Sequence, residues 1–446
     1  MKSWTSLESQ YLRLGDKRRE ERFLKIVHTF GQHPCSSVPQ AFTNWYDIKA
    51  CYKFWSSSLV MESSLQQAIF QATSQRCQGQ ETVLSVQDTS NLSFRVDAEG
   101  LGYLDHGAGR GLICHNNLLV STHGVPLGLI DQQIWSRDPA EMGKKKTRGN
   151  RAIEEKESYK WILSKTRAED FLCDHITRLI TIADREADIY ELFAYPRPDN
   201  SELLIRASHD RKTPEGDSIW QELDDLPAQK KTSIDLPGTP GKKPRKAKLE
   251  MTWGSFTIQP PENKKDLSPI VVQAMLVKEP NPPKAEKALC WKLIMSLPIE
   301  TGEDALLYKQ WYTLRWLIER FHYVLKSGCG LESLQLQKAE QLRKATITLS
   351  LVAYKLLWLL LESRKDPDQP CTKVLTDQEW KALYCNKFKS TKYPDNPPTV
   401  QQAVRWIGIL GGFIGRKRDG EPGVKNLWRG LRTLEHLTGM WQNLQK

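Results

Sequence analysis

Three acidic residues that lie far apart in the sequence could together act on a phosphodiester bond. Asp88 and Asp184 each follow a short apolar run that predicts a buried strand, and Glu319 lies in a segment with helical periodicity. Three carboxylates at one site repel each other unless divalent cations lie between them, and Mg²⁺ prefers such oxygen ligands. Two ions about 4 Å apart stabilise the attacking and leaving oxygens of a phosphoryl transfer. We therefore predict that Asp88, Asp184 and Glu319 are catalytic metal ligands for two Mg²⁺ ions, with Mn²⁺ as a substitute.

The segment around Glu319 carries further polar residues that could hold a phosphate. On one continuous helix from Trp311 to Lys326, with about 100° between successive residues, two separate faces form. The polar face consists of Tyr312, Arg315, Glu319 and Lys326, and the apolar face of Leu314, Ile318, Phe321 and Leu325. One alternative is an ordinary amphipathic helix with an Arg315–Glu319 ion pair. The other places Tyr312, Arg315 and Lys326 on DNA phosphates, Arg315 through its planar guanidinium and Lys326 as a point charge.

The elements predicted around these residues alternate between helices and strands. The patterns predict helices up to about residue 75, strands from Thr82, a helix from Ile153 to Lys165, strands within 200–300 and helices from 304 onward. Asp88 and Asp184 are both predicted at strand ends of an α/β unit over residues 82–195. The strand before Asp184 is almost entirely apolar, which predicts a central position in its sheet.

The charge of the chain limits its partners. Lysine and arginine number 64 against 53 aspartate and glutamate, a net charge of +11, which favours a polyanion, an anionic lipid surface or an acidic protein. The nine cysteines are scattered without a C-x-x-C pair, which indicates reduced thiols and a cytoplasmic protein. The most apolar segment, Ala345 to Leu361, is interrupted by Lys355 and is shorter than a membrane span. We therefore do not expect a membrane protein.

Two basic segments are candidates for contact with a polyanion. The first is the charged stretch Gly15–Arg22, which contains Arg18 and Arg19, and the second is the loop Lys144–Arg151. Such runs commonly form a solvated face or loop. The alternative is that their cations bind phosphates, in which case DNA affinity would fall steeply with salt.

The spacing Tyr312-x2-Arg315-x3-Glu319-x6-Lys326 resembles the Tyr-Arg-Glu-Lys signature of bacterial DDE transposases of the transposon-five (insertion-sequence-four) type. The segments Val86–Ser90 and Ala183–Asp188 resemble those that carry the first and second catalytic aspartates of that family. Of the two aspartates in the second segment, Asp184 matches better because it ends the strand. Asp188 is expected on a helix surface or behind the metal ligands. The resemblance covers nearly the whole chain.

The resemblance implies an α/β fold with a ribonuclease-H-like catalytic core and a β-rich insertion, flanked by helical N- and C-terminal regions. It implies a DNA-end-binding domain over residues 1–75, a catalytic domain over 76–365 with the insertion at 200–300, and a dimerisation region over 366–446. It also implies further DNA-binding residues: Arg18 and Arg19 in the N-terminal segment, Arg211 and Lys212 near the cleaved end, and Trp291 beside a flipped base. The alternative for Trp291 is a place in the buried core of the insertion.

The function expected from these features is cut-and-paste DNA transposition. The enzyme would nick transposon ends, form a hairpin and join the freed 3′ hydroxyl to target DNA, as a homodimer on paired ends, in the cytoplasm at the nucleoid. Two alternatives remain open: a catalytically inactive DNA-binding copy or inhibitor, and a metal-dependent nuclease that does not join strands. The presence of all three carboxylates favours catalysis, and Tyr312, Arg315 and Lys326 favour strand joining.

Overall fold

The computed structural model describes residues 5–34, 36–105, 109–141, 151–213, 216–236, 244–264, 266–284, 286–416 and 419–444. The basic loop predicted at Lys144–Arg151 therefore lies, except for Arg151, outside the described residues. The helices are α1 (Ser6–Tyr11), α2 (Lys17–Gln32), α3 (Val38–Ala41), α4 (Trp45–Ser56), α5 (Glu62–Cys77), α6 (Tyr159–Leu172), α7 (Tyr190–Ala194), α8 (Ile219–Asp225), α9 (Gly302–Thr313), α10 (Trp316–Tyr323), α11 (Ala339–Lys365), α12 (Asp377–Phe388), α13 (Val400–Leu410) and α14 (Val424–Leu444). The strands are β1 (Thr82–Ser93), β2 (Gly102–Tyr103), β3 (Arg110–Ser121), β4 (Pro126–Trp135), β5 (Arg178–Ala183), β6 (Ser201–Arg206), β7 (Lys230–Leu236), β8 (Arg245–Ile258), β9 (Ile270–Lys278) and β10 (Cys290–Met295).

The chain divides into two compact units. The first unit comprises Met1–Gln78, Thr89–Glu141 and Leu317–Lys446, and the second comprises Gly79–Asp88 and Met142–Trp316. Of the three predicted carboxylate ligands, Asp88 and Asp184 lie in the second unit and Glu319 lies in the first.

The sheet of the second unit begins with three parallel strands. The first part of β1 pairs with β5 in a register that ends at Val86↔Ile182, and β5 pairs with β6 in a register that ends at Ala183↔Ile205. β10 follows antiparallel to β6, and β9, β8 and β7 extend the sheet antiparallel. β5 therefore has a parallel neighbour on each side and is buried beyond its first residue, as its apolar composition predicts.

A core on one face of this sheet fixes the strands in place. Trp161 of α6 and Trp220 of α8 are buried against apolar residues of the strands, among them Ile205 and Ile294. Because Leu203 and Ile205 of β6 face this core and side chains alternate along a strand, the last residue of β6, Arg206, is on the opposite face.

Two predictions for this region are wrong. The strand that contains Asp88 does not end there, because β1 continues to Ser93 and its second part lies in the first unit, where the Thr89 hydroxyl contacts Nδ1 of His115 in β3 at 3.0 Å. The helix predicted from Ile153 begins only at Tyr159. Ile153–Glu155 forms an isolated 3₁₀ turn, and the extended backbone of Lys156 ends it.

In the first unit, helices of the N-terminal segment pack against α11. Phe23 of α2 stacks on Phe54 of α4 with ring centroids 5.9 Å apart, and Nε1 of Trp55 donates to Oγ1 of Thr348 in α11 at 3.2 Å. Among the described residues, α11 is the helix that is long and apolar enough to cross a membrane, and 89% of its most apolar stretch is buried in the protein. Such burial is typical of a helix in the core of a protein.

Two glycines bring the backbones of α13 and α14 into contact. A Cβ atom on Gly411 would lie 1.8 Å from the carbonyl oxygen of Asn426, and one on Gly430 would lie 1.8 Å from that of Ile407. Any larger residue would force these helices apart. These two helices belong to the helical region predicted from residue 304 onward, and Gly411 is itself part of their interface.

Candidate active site and DNA interface

The carboxyl ends of three parallel strands place Asp88, Asp184 and Arg206 side by side. The β1–β5 register, extended by two residues, sets Asp88 opposite Asp184, and the β5–β6 register, extended by one, sets Asp184 opposite Arg206. Neighbouring strands are about 5 Å apart, and residues paired across them point to the same face. All three side chains are half-buried. The edge therefore presents two carboxylates and a guanidinium together.

Backbone geometry orients the carboxylate of Asp184. The chain turns directly after β5 into the 3₁₀ turn Arg185–Ala187, and Oδ1 of Asp184 accepts a hydrogen bond from the backbone N–H of Glu186 at 2.9 Å. This cap fixes the side chain at the sheet edge, where the sequence predicted it.

Asp188 does not lie on a helix surface, so the first of the two alternatives given for it is wrong. The chain after Asp184 forms a short turn instead of a helix, and the Asp188 side chain points inward and is completely buried. It forms an ion pair with Arg211 at 2.5 Å and accepts hydrogen bonds from the backbone N–H groups of Ser208 and His209 at 2.6 and 3.0 Å. Asp188 therefore holds the loop that follows β6.

The same contact determines the environment of Arg211. Its side chain is 10% exposed, and its guanidinium lies 5.7 Å from the ring of Phe193. Of the basic pair predicted to bind DNA, Arg211 is thus committed to a protein carboxylate, whereas Lys212 is exposed. A role for Arg211 on DNA stays a prediction, and in the structure it fastens the loop.

Trp291 and Tyr312 form an aromatic pair next to the sheet edge. Their ring centroids are 5.7 Å apart in an edge-to-face arrangement, and Trp291 is half-buried, so the alternative of a fully buried core tryptophan is wrong. Tyr312 is buried, which raises the pKa of its hydroxyl, while the nearby guanidinium groups of Arg315 and Arg206 act in the opposite direction. The neutral hydroxyl remains able to donate a hydrogen bond.

A basic cleft of about 840 Å³ opens beside this pair in the second unit. Among the residues that the structure describes, its charged lining consists of Arg185, Arg206, Arg245, Lys287, Lys292 and one acid, Glu286. Trp291 and the exposed Cys290 also line it. A cleft with several cations, one acid and a partly exposed tryptophan suits a nucleic-acid strand, since cations bind phosphates and the indole can stack on a base.

The cations that line the cleft differ in whether a protein acid already binds them. The guanidinium of Arg245 donates to Glu279, with Nη2 and Oε2 3.0 Å apart, and this contact lowers the pKa of the Glu279 carboxyl. Arg206 donates to the backbone carbonyl of Cys290 at 3.3 Å. Because a carbonyl group has no net charge, this contact does not neutralise the guanidinium. Sequence analysis missed Arg206, although it closes a strand in the same way as Asp184. The strand-end criterion, applied to β6, would have found it.

The segment from Trp311 to Lys326 does not form the one continuous helix that was predicted for it. α9 ends at Thr313, Leu314 and Arg315 form a turn, and α10 begins at Trp316. A wider π-helical turn over Val324–Gly328 then follows α10. The spacing of about 100° between successive residues holds only within an uninterrupted α-helix. Both the turn at Leu314 and Arg315 and the wider π-helical turn therefore change the direction in which the later side chains point.

Glu319 and Lys326 both lie in the first unit, and each has its own surroundings there. Glu319 is exposed on α10, while Ile318 and Phe321 are buried as predicted. Nζ of Lys326 donates to the backbone carbonyl of Asn91, near the end of β1, at 2.8 Å and lies 3.4 Å from the carboxylate of Glu332. Lys326 is thus held beside β1.

The two N-terminal arginines differ in their surroundings. Arg18 is 91% exposed and pairs weakly with Asp16, which caps α2 by accepting from the Arg18 backbone N–H. Arg19 instead donates to the backbone carbonyl of Leu14 and fastens the segment that precedes α2. Arg18 is therefore open to solvent, and Arg19 is partly used inside the protein.

The carboxylates at this sheet edge are oxygen ligands of the kind that a hard divalent cation binds. Asp88 and Asp184 offer carboxylate oxygens from adjacent strands, which Mg²⁺ accepts together with water and phosphate oxygens. Within the described ranges, no group of three His, Cys, Asp or Glu side chains has the arrangement of a metal site. The second unit by itself thus supplies a pair of carboxylates.

Three family models match successive parts of the chain. The model described as Transposase DNA-binding matches residues 1–60, Transposase DDE domain matches 130–356, and Transposase Tn5 dimerisation domain matches 351–439. The second match spans half of the chain and includes Asp184 and Glu319. The chain belongs to the DDE transposase family. The C-terminal match assigns it to the Tn5 (insertion-sequence-four) type of that family.

Membership of the DDE family confirms the predicted α/β fold with a ribonuclease-H-like core and implies chemistry that uses a divalent metal. A solved chain in a cryo-EM structure of a piggyBac transposase synaptic complex with hairpin DNA is also similar. That match has 11% sequence identity and a TM-score of 0.33, and it covers 64% of this chain and 48% of the other. This chain thus spans about half the length of that relative.

Proposed function

We propose that the protein is a cut-and-paste DNA transposase with Asp88, Asp184 and Glu319 as its catalytic residues. The observation that carries the proposal is the alignment of Asp88, Asp184 and Arg206 at one sheet edge of a chain of the DDE family. Substrate DNA would lie in the adjacent basic cleft, whose lining residues include Arg206 and Trp291.

Three carboxylates would hold the metal. Asp88 and Asp184 would supply two of them, and Glu319, exposed on α10, would supply the third. Two Mg²⁺ ions, or Mn²⁺ in their place, fit these oxygen ligands. When bound, the ions would neutralise charge on the scissile phosphate and lower the pKa of an attacking water.

The side chains of this protein would bind and orient the DNA around that reaction. Arg206 beside Asp184, and Tyr312 and Arg315 close to it, would hold the phosphate to be cleaved, the arginines by two-pronged hydrogen bonds. Lys326 would add a further phosphate contact. In the N-terminal segment, Arg18 and Arg19 would bind phosphates of the transposon end, and Arg211 and Lys212 would lie near its cleaved terminus.

The reaction would proceed as one type of phosphoryl transfer with successive nucleophiles. Water first attacks the phosphodiester at the transposon end and releases a 3′ hydroxyl. That hydroxyl attacks the opposite strand to give a hairpin, water reopens the hairpin, and the same hydroxyl finally attacks target DNA. Holding each nucleophile in line with the phosphate replaces a bimolecular encounter by a positioned one.

Trp291 would serve the hairpin step. A tight hairpin forces a terminal base out of the stack at a cost of a few kcal/mol, and stacking on an aromatic ring returns about 1–3 kcal/mol. Trp291 lines the cleft and is half-buried, and its ring packs against the ring of Tyr312. The indole would therefore be held in place where an extruded base could stack on it.

The domain assignments complete the proposal. The N-terminal domain, residues 1–75, would bind transposon ends. The catalytic domain, residues 76–365, would contain the β-rich insertion 200–300 and carry out the reaction. The C-terminal region, residues 366–446, would join two copies of the protein on paired ends. The protein would act in the bacterial cytoplasm, at the nucleoid, without a membrane partner.

The test is an end-cleavage assay with Mg²⁺ on duplexes taken from both flanks of the source gene. We expect nicks, then hairpins, then joined products. Glu319→Gln should reduce cleavage to background while DNA binding is retained, because the amide is a poor metal ligand. Glu222→Gln, at an exposed position of α8, is the matched control and should cleave as the natural protein does. Cleavage by Glu319→Gln would remove Glu319 from its role, nicks without hairpins would indicate a nuclease, and binding without cleavage an inactive copy.

A further inference from the structure

Two neighbouring aromatic residues at the start of α4 are unusually exposed. Trp45 and Tyr46 are each 73% exposed, the highest values among the large apolar residues of the described chain. The rest of α4 is well packed, since Phe54 and Trp55 are buried against α2 and α11. Exposing two large rings next to each other is costly in water, so a contact outside this unit is indicated.

The backbone that carries the two rings is firmly held. Asn44 caps α4 by accepting from the backbone N–H of Asp47 at 2.8 Å, and its side-chain amide donates to the Asp47 carboxylate at 2.7 Å. The same carboxylate accepts from Arg22 at 2.6 Å and from Lys25 at 2.8 Å, both on α2. Trp45 and Tyr46 therefore project from a fixed turn, which lowers the entropy lost when they bind.

The surface around the rings is cationic. The guanidinium of Arg22 lies 5.5 Å from the ring centroid of Tyr46, and Lys25 is 52% exposed. Along α4, Lys49 and Lys53 are exposed at four and eight residues after Trp45, which places them on the same helix face. The acid in this group, Asp47, is buried and paired.

We propose that Trp45 and Tyr46 form an aromatic contact with duplex DNA, in which the rings touch sugars and base edges in a groove. Arg22, Lys25, Lys49 and Lys53 bind the flanking phosphates. A duplex is favoured over a protein surface because four cations surround the rings, and because an aromatic pair at the first turn of a helix can enter a groove while the later lysines stay on the backbone. This inference rests on the proposed function, and it adds a recognition element to the N-terminal segment that Arg18 and Arg19 do not supply.

The experiment compares full-length variants for binding to fluorescein-labelled duplexes from both gene flanks and to a scrambled duplex of equal length, without metal. Trp45→Ala/Tyr46→Ala should weaken binding to the preferred flank duplex by about tenfold or more, because each lost aromatic contact is large. The slope of log affinity against log salt should stay unchanged, because no phosphate contact is removed. Trp45→Phe/Tyr46→Phe should retain most of the affinity.

The matched control is Leu59→Ala/Met61→Ala, which removes two other exposed apolar side chains from the first unit, 64% and 61% exposed. It should bind as the natural protein does, and all variants should melt at similar temperatures because the altered side chains are at the surface. Equal binding by the aromatic double variant overturns the inference. So does a changed oligomeric state with unchanged DNA affinity, which would assign the rings to a protein contact. If the natural protein binds no flank duplex, it is the proposed function that fails.

Discussion

Two aspartates, one in each unit, hold basic side chains in contrasting ways. Asp188 is completely buried and binds one arginine and two backbone N–H groups of the loop after β6. Asp47 of the first unit is also buried, but it binds Arg22 and Lys25 at the surface, whose side chains are 22% and 52% exposed. The buried Asp188–Arg211 pair is neutralised within the protein and holds the backbone of the loop after β6. In the surface cluster of Asp47, Arg22 and Lys25, the two cations are held in place and remain accessible to solvent.

The difference shows that an ion pair near a candidate DNA surface has two separable uses. A buried pair is costly to disrupt, because removing one partner leaves the other charge without solvent. A pair whose cation reaches solvent contributes less to stability, because water and salt screen that cation, but it can present the cation to a polyanion. Arg211 belongs to the first kind, and Arg22 and Lys25 belong to the second.

The largest expected effect comes from breaking the buried pair. Asp188→Asn should lower the free energy of unfolding of the second unit by about 3–5 kcal/mol, because Arg211 is left buried and unpaired. Hydrogen exchange at the Ser208 and His209 amides, followed with urea denaturation, should report the loss locally. Adding Arg211→Gln to Asp188→Asn should restore part of the stability. If the single variant loses less than about 1 kcal/mol, the pair does not hold this loop.

A smaller effect is expected from Arg206, a cleft cation that pairs with no acid among the residues that the structure describes. Arg206→Ala should weaken DNA binding about five- to tenfold and make the salt dependence shallower, with little change in stability. Maleimide labelling of Cys290, the exposed thiol among the described cysteines, should be slowed by DNA, because that thiol lines the same cleft. Unaltered binding by the variant together with unprotected Cys290 would place DNA elsewhere.

The smallest effect concerns acid stability at the surface cluster. Lys25, followed by Asn44 and Arg22, lowers the pKa of Asp47 from 3.8 to about 2. The ionised form therefore stabilises the fold above pH 4, and this contribution is lost as the pH falls from about 4 towards 2. Asp47→Asn should cost about 1 kcal/mol at neutral pH and flatten the stability profile in that window, measured by thermal unfolding. A profile as steep as that of the natural protein would show that other carboxyl groups cause the acid sensitivity.

The sequence predicted those parts of the site that depend on local pattern. The apolar run that ends at Asp184 specified a central strand, since a strand buried on both faces needs apolar residues throughout. The helices before residue 75 and those after residue 304 were likewise predicted, because the periodicity of each lies within one segment. The motif around Glu319 was sufficient for the family, which the DDE match confirms.

Local pattern was insufficient wherever a neighbour from another segment decided the outcome. The residues of Trp311–Lys326 suit one helix, but the chain turns at Leu314 and Arg315. Asp188 has the spacing of an exposed helical residue, and only the loop after β6 provides the arginine and the amides that allow its burial.

Residue types and short-range periodicity alone determined that this chain carries strand-borne aspartates, a basic charge and the signature of its family. Tertiary structure decided that Arg206 stands beside Asp184, that Trp291 lines a cleft, and that Trp45 and Tyr46 stay exposed. The physical reason is that strand pairing and burial join residues from distant segments. The free energy of those contacts depends on which partner arrives, and the sequence of either segment alone does not contain that information.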